Sequence, residues 1–156
     1  MSHDILLHSL AVWFGITNTA RTWFQSYLNS RSSIVSTLGH RSSSFSTSCG
    51  VSQGSVLGPI LFIMYTTPLG SLIFSNSSVH HHLYADDTQL YLSFSPQSYT
   101  SNIVHLQSVI TQVSSWMSTN LLSLNPNKTE FLVIGTQQQL SKLNNPVLAI
   151  DPYIPS

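Results

Sequence analysis

Charge is what this sequence has least of. Of its 156 residues five are Lys or Arg and five are Asp or Glu, 6% in all, against roughly 25% in an ordinary soluble domain. Ser, Thr, Asn and Gln occupy the surface positions that charged residues normally take. The formal net charge is zero, which excludes the strongly basic footprint of many nucleic-acid-binding domains. A mild asymmetry exists. Residues 1–60 carry Arg21, Arg31 and Arg41 against Asp4, and the remainder carries Lys128 and Lys142 against Asp86, Asp87, Glu130 and Asp151. A nucleic acid would meet the more favourable field in the first half.

Cysteine is almost as scarce. Cys49 stands alone, so neither an intramolecular disulfide framework nor a cysteine-based zinc site is available. A small buried residue on a strand is the expectation for it. No basic region followed by an apolar core opens the chain, which argues against a secretory signal and for an intracellular place, nucleus or cytoplasm. Long apolar runs are also few. Val56 to Phe74 is nineteen residues without a charge, near the ~20 that span a bilayer. Pro59, Pro68 and Gly70 interrupt it, and flanking basic residues are missing, so no membrane association is expected.

What is present suffices for a packed core: 42% of residues are apolar, and the length allows one domain or part of one. Apolar positions from Asp4 to Phe14 predict a short, mostly buried helix stopped by Gly15. Thr17-Asn18-Thr19 can cap a second helix running to about Asn29. Ser33 to Leu38 and Phe45 to Val51 read as two strands joined by a turn around Gly39-His40-Arg41. A buried helix is expected from about Ser55 to Tyr65, with a break at Pro68. Ser95-Pro96-Gln97-Ser98 signals a turn and helix start. Ile103, Leu106, Ile110, Val113 and Met117 then follow at spacings of 3, 4, 3 and 4, one face of an amphipathic helix ending near Asn120. Glu130 to Ile134 predicts a strand closed by Gly135. The tail, residues 136–156, is Gln-, Asn- and Pro-rich and poorly specified.

His80 to Phe94, HHHLYADDTQLYLSF, is the stretch richest in chemistry. Asp86 and Asp87 sit between two β-prone runs, which predicts a hairpin with the acidic pair at its turn, where Asp tolerates unusual backbone angles. Adjacent carboxylates repel unless a cation or shared proton lies between them. A hard divalent ion such as Mg2+, which takes oxygen ligands, is the natural partner. On the dipeptide alone a solvated hairpin turn is the favoured reading. His80-His81-His82 cannot converge on one ion, because consecutive strand residues point to opposite faces.

The second landmark lies upstream. Gly50 to Phe62 reads GVSQGSVLGPILF. With Tyr84-Ala85-Asp86-Asp87 it resembles the reverse transcriptases of non-LTR (LINE-type) retrotransposons, in the family's order and at about its spacing. The resemblance continues through Ser115-Trp116-Met117 and Leu124-Asn125-Pro126-Asn127-Lys128-Thr129-Glu130, and so covers nearly the whole chain. Ser52 stands where the family block often has proline.

The resemblance implies an α+β fold: a partial polymerase palm over residues 1–135, with a small antiparallel sheet, an acidic hairpin and backing helices, fingers and thumb missing. It implies template-directed nucleotidyl transfer with an RNA template, a DNA primer and a dNTP, through two Mg2+ ions. Asp86 and Asp87 would supply metal-binding carboxylates. Gln53, Gly54 and Ser55 would lie along nucleotide and template, Tyr84 near the primer end, and Lys128 would protonate pyrophosphate, its alternative being a plain surface turn residue. The family has a further metal-bridging aspartate in a Phe-Asp pair, shortly before a segment resembling His3-Asp4-Ile5-Leu6-Leu7. In this chain that position would fall upstream of Met1, and Asp4 is not its substitute. The expectation is therefore a catalytic lineage without catalysis by this chain alone. The alternatives are a non-catalytic retrotransposon remnant, RNA-binding or without function, and a small membrane protein built on residues 56–74.

Overall fold

The structure, a computed structural model, describes residues 1–29, 31–52, 54–76 and 78–143. It is a mixed α+β chain of helices and small antiparallel sheets, divided into two units, Met1–Pro68 and Leu69–Ser156.

The first unit opens with α1 (His3–Phe14), which ends as its sequence predicts: Gly15 adopts the left-handed conformation at φ +64° and returns its N–H to the Leu10 carbonyl, a helix stop open to glycine at little cost. Leu6, Leu7 and Leu10 are buried, but Val12, Trp13 and Phe14 are exposed. The expectation of a mostly buried helix therefore holds for its first half only. α2 (Asn18–Leu28) follows, with Thr17 at its N-cap. Of its apolar residues Leu28 alone is buried.

Four two-residue strands come next: β1 (Ser32–Ser33), β2 (Ser36–Thr37), β3 (His40–Arg41) and β4 (Phe45–Ser46). β2 pairs with β3 and β1 with β4, both antiparallel. The expected pair of strands is thus a hairpin whose ladder is interrupted. Its turn is Leu38-Gly39, both at positive φ (46° and 82°), as a tight hairpin requires, and His40 and Arg41 already belong to the return strand. Cys49 is exposed, not buried as expected. Its backbone forms an isolated bridge with Ser2, and pairing of the main chain leaves the thiol outside.

α3 (Gly58–Phe74) corrects another expectation: it contains Pro68 and runs on to Phe74. A proline inside a helix costs about 3 kcal/mol. Burial of Leu61 and Tyr65 on one side of it, and of Leu69 and Ile73 on the other, offsets that cost at about 1.5–3 kcal/mol for each large apolar side chain. The helix has 17 residues, and no helix among the described residues is long and apolar enough to cross a membrane.

In the second unit β5 (His80–Tyr84) and β6 (Asp87–Tyr91) form a hairpin. A 3-10 turn at Pro96–Ser98 leads into α4 (Tyr99–Thr119), which stops at Asn120, as the apolar spacing predicts. Leu106, Val109 and Val113 of α4 join Leu69, Ile73 and Val79 in one core, against which Leu83, Leu90 and Leu92 of the hairpin region pack. Two contacts draw α3 in. Asn76 Nδ2 donates to the Leu72 carbonyl and to Gln112 Oε1 at 3.1 and 3.4 Å. At Gly70 a side chain would meet His81 Nε2 at 3.2 Å, so glycine lets the strand approach the helix.

Glu130–Ile134 forms no strand. Phe131 packs on the core while Leu132 and Ile134 are exposed. The side chains alternate as in a strand, but no ladder pairs this segment among the described residues. Thr136 and Gln139 form a reciprocal capping box on the short α5 (Gln137–Leu140), order that the tail's composition did not predict.

Tyr65, 1% exposed, yields one prediction. Burial pushes its hydroxyl above the ordinary 10.0, partly offset by the Ser2 N–H that donates to it. With the folded-state value raised, the unfolded chain loses the proton first as pH rises. The stability linked to this group is therefore intact below the unfolded value and lost as pH climbs through the folded one. Urea unfolding midpoints should fall as pH rises past the ordinary value of 10.0, and Tyr65→Phe should reduce that fall.

Candidate active site

The acidic hairpin is built from strand alternation. Its register pairs His80 with Tyr91, His81 with Leu90, His82 with Gln89, Leu83 with Thr88 and Tyr84 with Asp87. One face, His81, Leu83, Thr88 and Leu90, is half-buried. The other, His80, His82, Tyr84, Asp87, Gln89 and Tyr91, is exposed. The three histidines divide between the faces, as predicted, and among the described residues no group of three or more His, Cys, Asp or Glu could hold a metal. His80 instead stacks on Tyr91, with centroids 5.5 Å apart.

Only two residues, Ala85 and Asp86, form the turn, because Asp87 is already paired with Tyr84. The left-handed angle falls on Ala85 at φ +51°, and not on an aspartate as the sequence had led us to expect. Tight hairpin turns demand positive φ at their first central residue, and the register gives that place to Ala85. Asp86 is thus presented at the tip and Asp87 at the first rung, both exposed. Tyr84, directly opposite Asp87, is 73% exposed.

These carboxylates are of the right kind for Mg2+, which takes hard oxygen donors and commonly uses one or two carboxylates with water and phosphate completing its shell. The donor set fits as a partial site. Lys128 is not part of the hairpin: it closes a separate 3-10 turn, Pro126–Lys128, ordered by Asn125 Oδ1 accepting the Asn127 N–H at 3.1 Å, and it is exposed.

Gly54 and Ser55 lie in the first unit, while Gln53 falls outside the described residues. Gly54 has φ +79°, an angle glycine accepts freely. Ser55 has a local duty that sequence reasoning missed. Its hydroxyl accepts the Gly58 N–H at 3.1 Å and caps α3, satisfying one of the orphan donors of the helix start. The signal was available, since Ser stands three residues before the helix.

Two further residues position this loop. His3, buried, has Nε2 2.7 Å from the Gly50 carbonyl oxygen, and the Gly50 N–H donates to the Met1 carbonyl at 2.8 Å. The start of α1 is thereby fastened to the start of the Gly-rich block. Arg31 Nη1 donates to Ser52 Oγ at 2.7 Å. A buried histidine and a lone arginine carry no sequence mark of such partners.

Two outcomes follow. Ser55→Ala should lower stability by about 1 kcal/mol in urea unfolding, the usual cost of a lost cap. Ala85→Gly should raise stability by about 1 kcal/mol by relieving the left-handed angle, with the hairpin's cross-strand NOEs retained.

No curated protein and no solved structure matches the chain. The family model described as reverse transcriptase (RNA-dependent DNA polymerase) matches residues 2–145, a span that takes in the His3 segment, the Gly-rich block, the acidic hairpin and Lys128. The chain belongs to the reverse transcriptase family.

Proposed function

We propose that this chain is part of the palm of a LINE-type (non-LTR) retrotransposon reverse transcriptase, the palm running over residues 1–135 and the tail over 136–156. The parent reaction joins a dNTP to a DNA primer under the direction of an RNA template. An intracellular place of action, where RNA and nucleoside triphosphates meet, belongs to the same proposal. The observation that carries it is the two-residue turn that sets Asp86 at the hairpin tip, with Asp87 opposite Tyr84.

Members of this family generally use Mg2+, and Asp86 and Asp87 would hold it here. When bound, Mg2+ lowers the pKa of a primer hydroxyl and neutralises charge on a leaving pyrophosphate. The chain's own residues do the rest. Tyr84, exposed beside Asp87, offers a flat surface to the primer end. Gly54 lets a backbone come close to nucleotide or template, a role that Gln53, its neighbour in sequence, would share, and Ser55 keeps its O–H to donate while its oxygen caps α3. Lys128 would deliver a proton to pyrophosphate.

Two carboxylates are a poor holder for two divalent ions, and among the described residues no third ligand joins them. We therefore infer that the 156-residue chain by itself does not extend a primer. The expected outcome is primer–template binding that Mg2+ strengthens, with Asp86→Ala removing most of that gain, about tenfold, and no nucleotide incorporation by either protein. Extension by the unaltered chain, abolished in Asp86→Ala, would show that it is catalytic. Binding indifferent to both Mg2+ and Asp86 would favour a non-catalytic remnant.

A further inference from the structure

The first unit holds a cleft of about 340 Å3, lined by Arg31, Ser33, Thr47, Gly50 and Ser52 among others, with no carboxylate among the described residues of its wall. Arg31 is the one charge among those described residues, and it is held firmly. Its Nε donates to the Tyr27 carbonyl at 2.7 Å, Nη1 donates to Ser52 Oγ at 2.7 Å, and the guanidinium carbon lies 4.4 Å from the Tyr27 ring centroid. A guanidinium carries five N–H donors, so these bonds leave others to give.

The hydroxyls add to the same side of the balance. Ser52 accepts from Arg31 and keeps its own O–H. Ser33 Oγ and Thr47 Oγ1 are 3.3 Å apart, so one hydrogen serves their mutual bond and one remains. A fixed guanidinium beside spare hydroxyl donors, with no acid to compete, matches a tetrahedral oxyanion.

An aromatic rail adjoins it. Residues 23, 27 and 31 fall four apart, and Trp23 stacks on Tyr27 with centroids 5.6 Å apart and planes at 11°. Trp23 is 54% exposed. Surfaces that hold single strands combine a cationic grip on phosphate with aromatic rings on which bases stack. The remaining charges agree, since Met1–Pro68 carries three arginines against Asp4.

We infer that this cleft binds a phosphate of a nucleic-acid strand, with Trp23 taking a neighbouring base. The inference rests on the polymerase reading only for the identity of the strand. The donor set calls for neither Mg2+ nor catalysis.

The test is fluorescence anisotropy of a labelled single-stranded RNA oligonucleotide with the full chain, without Mg2+, over a range of salt. Arg31→Gln should weaken binding about tenfold and lower the salt slope by about one. Arg21→Gln removes the same charge elsewhere in the unit and should weaken binding less than about twofold. Trp23→Leu should cost about tenfold with the salt slope kept. Equal losses from Arg31→Gln and Arg21→Gln, or no RNA binding at all, overturn the inference. So does displacement of the RNA by dATP at the concentration at which unlabelled RNA displaces it, which assigns the cleft to a free triphosphate. If circular dichroism shows Arg31→Gln unfolded, the Ser33→Ala/Thr47→Ala chain decides: about threefold weaker binding supports the cleft and unchanged binding overturns it. Failure of the polymerase reading would appear separately, as loss of the Mg2+ and Asp86 effects with this binding intact.

Discussion

The packing of the acidic hairpin on the core shared by α3 and α4 is the contact on which the second unit depends. A two-stranded hairpin in water is marginal by itself. This one has polar and aromatic side chains on its outer face, and its inner face supplies Leu83 and Leu90 to a core of α3 and α4 residues. Each large apolar side chain buried there contributes about 1.5–3 kcal/mol, where surface ion pairs would contribute a fraction of that. In a chain with ten charged residues there is little else to hold the tip of the hairpin in place. The aspartates stay at the surface because Leu83, one rung from Asp87, and Leu90, three rungs from it, do not.

The first unit uses a different device around its Gly-rich block. Three separated points of the chain converge on Gly50, Ser52 and Ser55: the N-terminal turn through His3 and Met1, the segment after α2 through Arg31, and the start of α3 through Gly58. Each is a hydrogen bond worth about 1 kcal/mol net. Together they fix a backbone containing two glycines at positive φ, Gly50 and Gly54, which would otherwise roam widely.

Much of this was legible in the residues. The 3-4 spacing of α4, the stop at Gly15 and the Tyr84–Asp87 hairpin all follow from local chemistry, and so the structure agrees with them. The errors share a cause. Pro68 argued for a break, but burial on either side of it outweighs a local rule. Glu130–Ile134 has a strand's composition, yet a strand needs a neighbour to pair with, and composition does not name one. The acidic pair predicts a turn carried by the aspartates, whereas register, a property of both strands together, gives the positive φ to Ala85. Arg31 was visible only as a charge; its bonds to Tyr27 and Ser52 join places 4 and 21 residues distant.

The exposure of Cys49 has a practical side. It is the sole thiol in the sequence, exposed, and next to the glycine that His3 and Met1 grip. A maleimide dye would attach at this one place with no other cysteine to remove. Its emission would follow the parting of the N-terminal segment from the Gly-rich block, giving a window on that junction in solution without altering any residue.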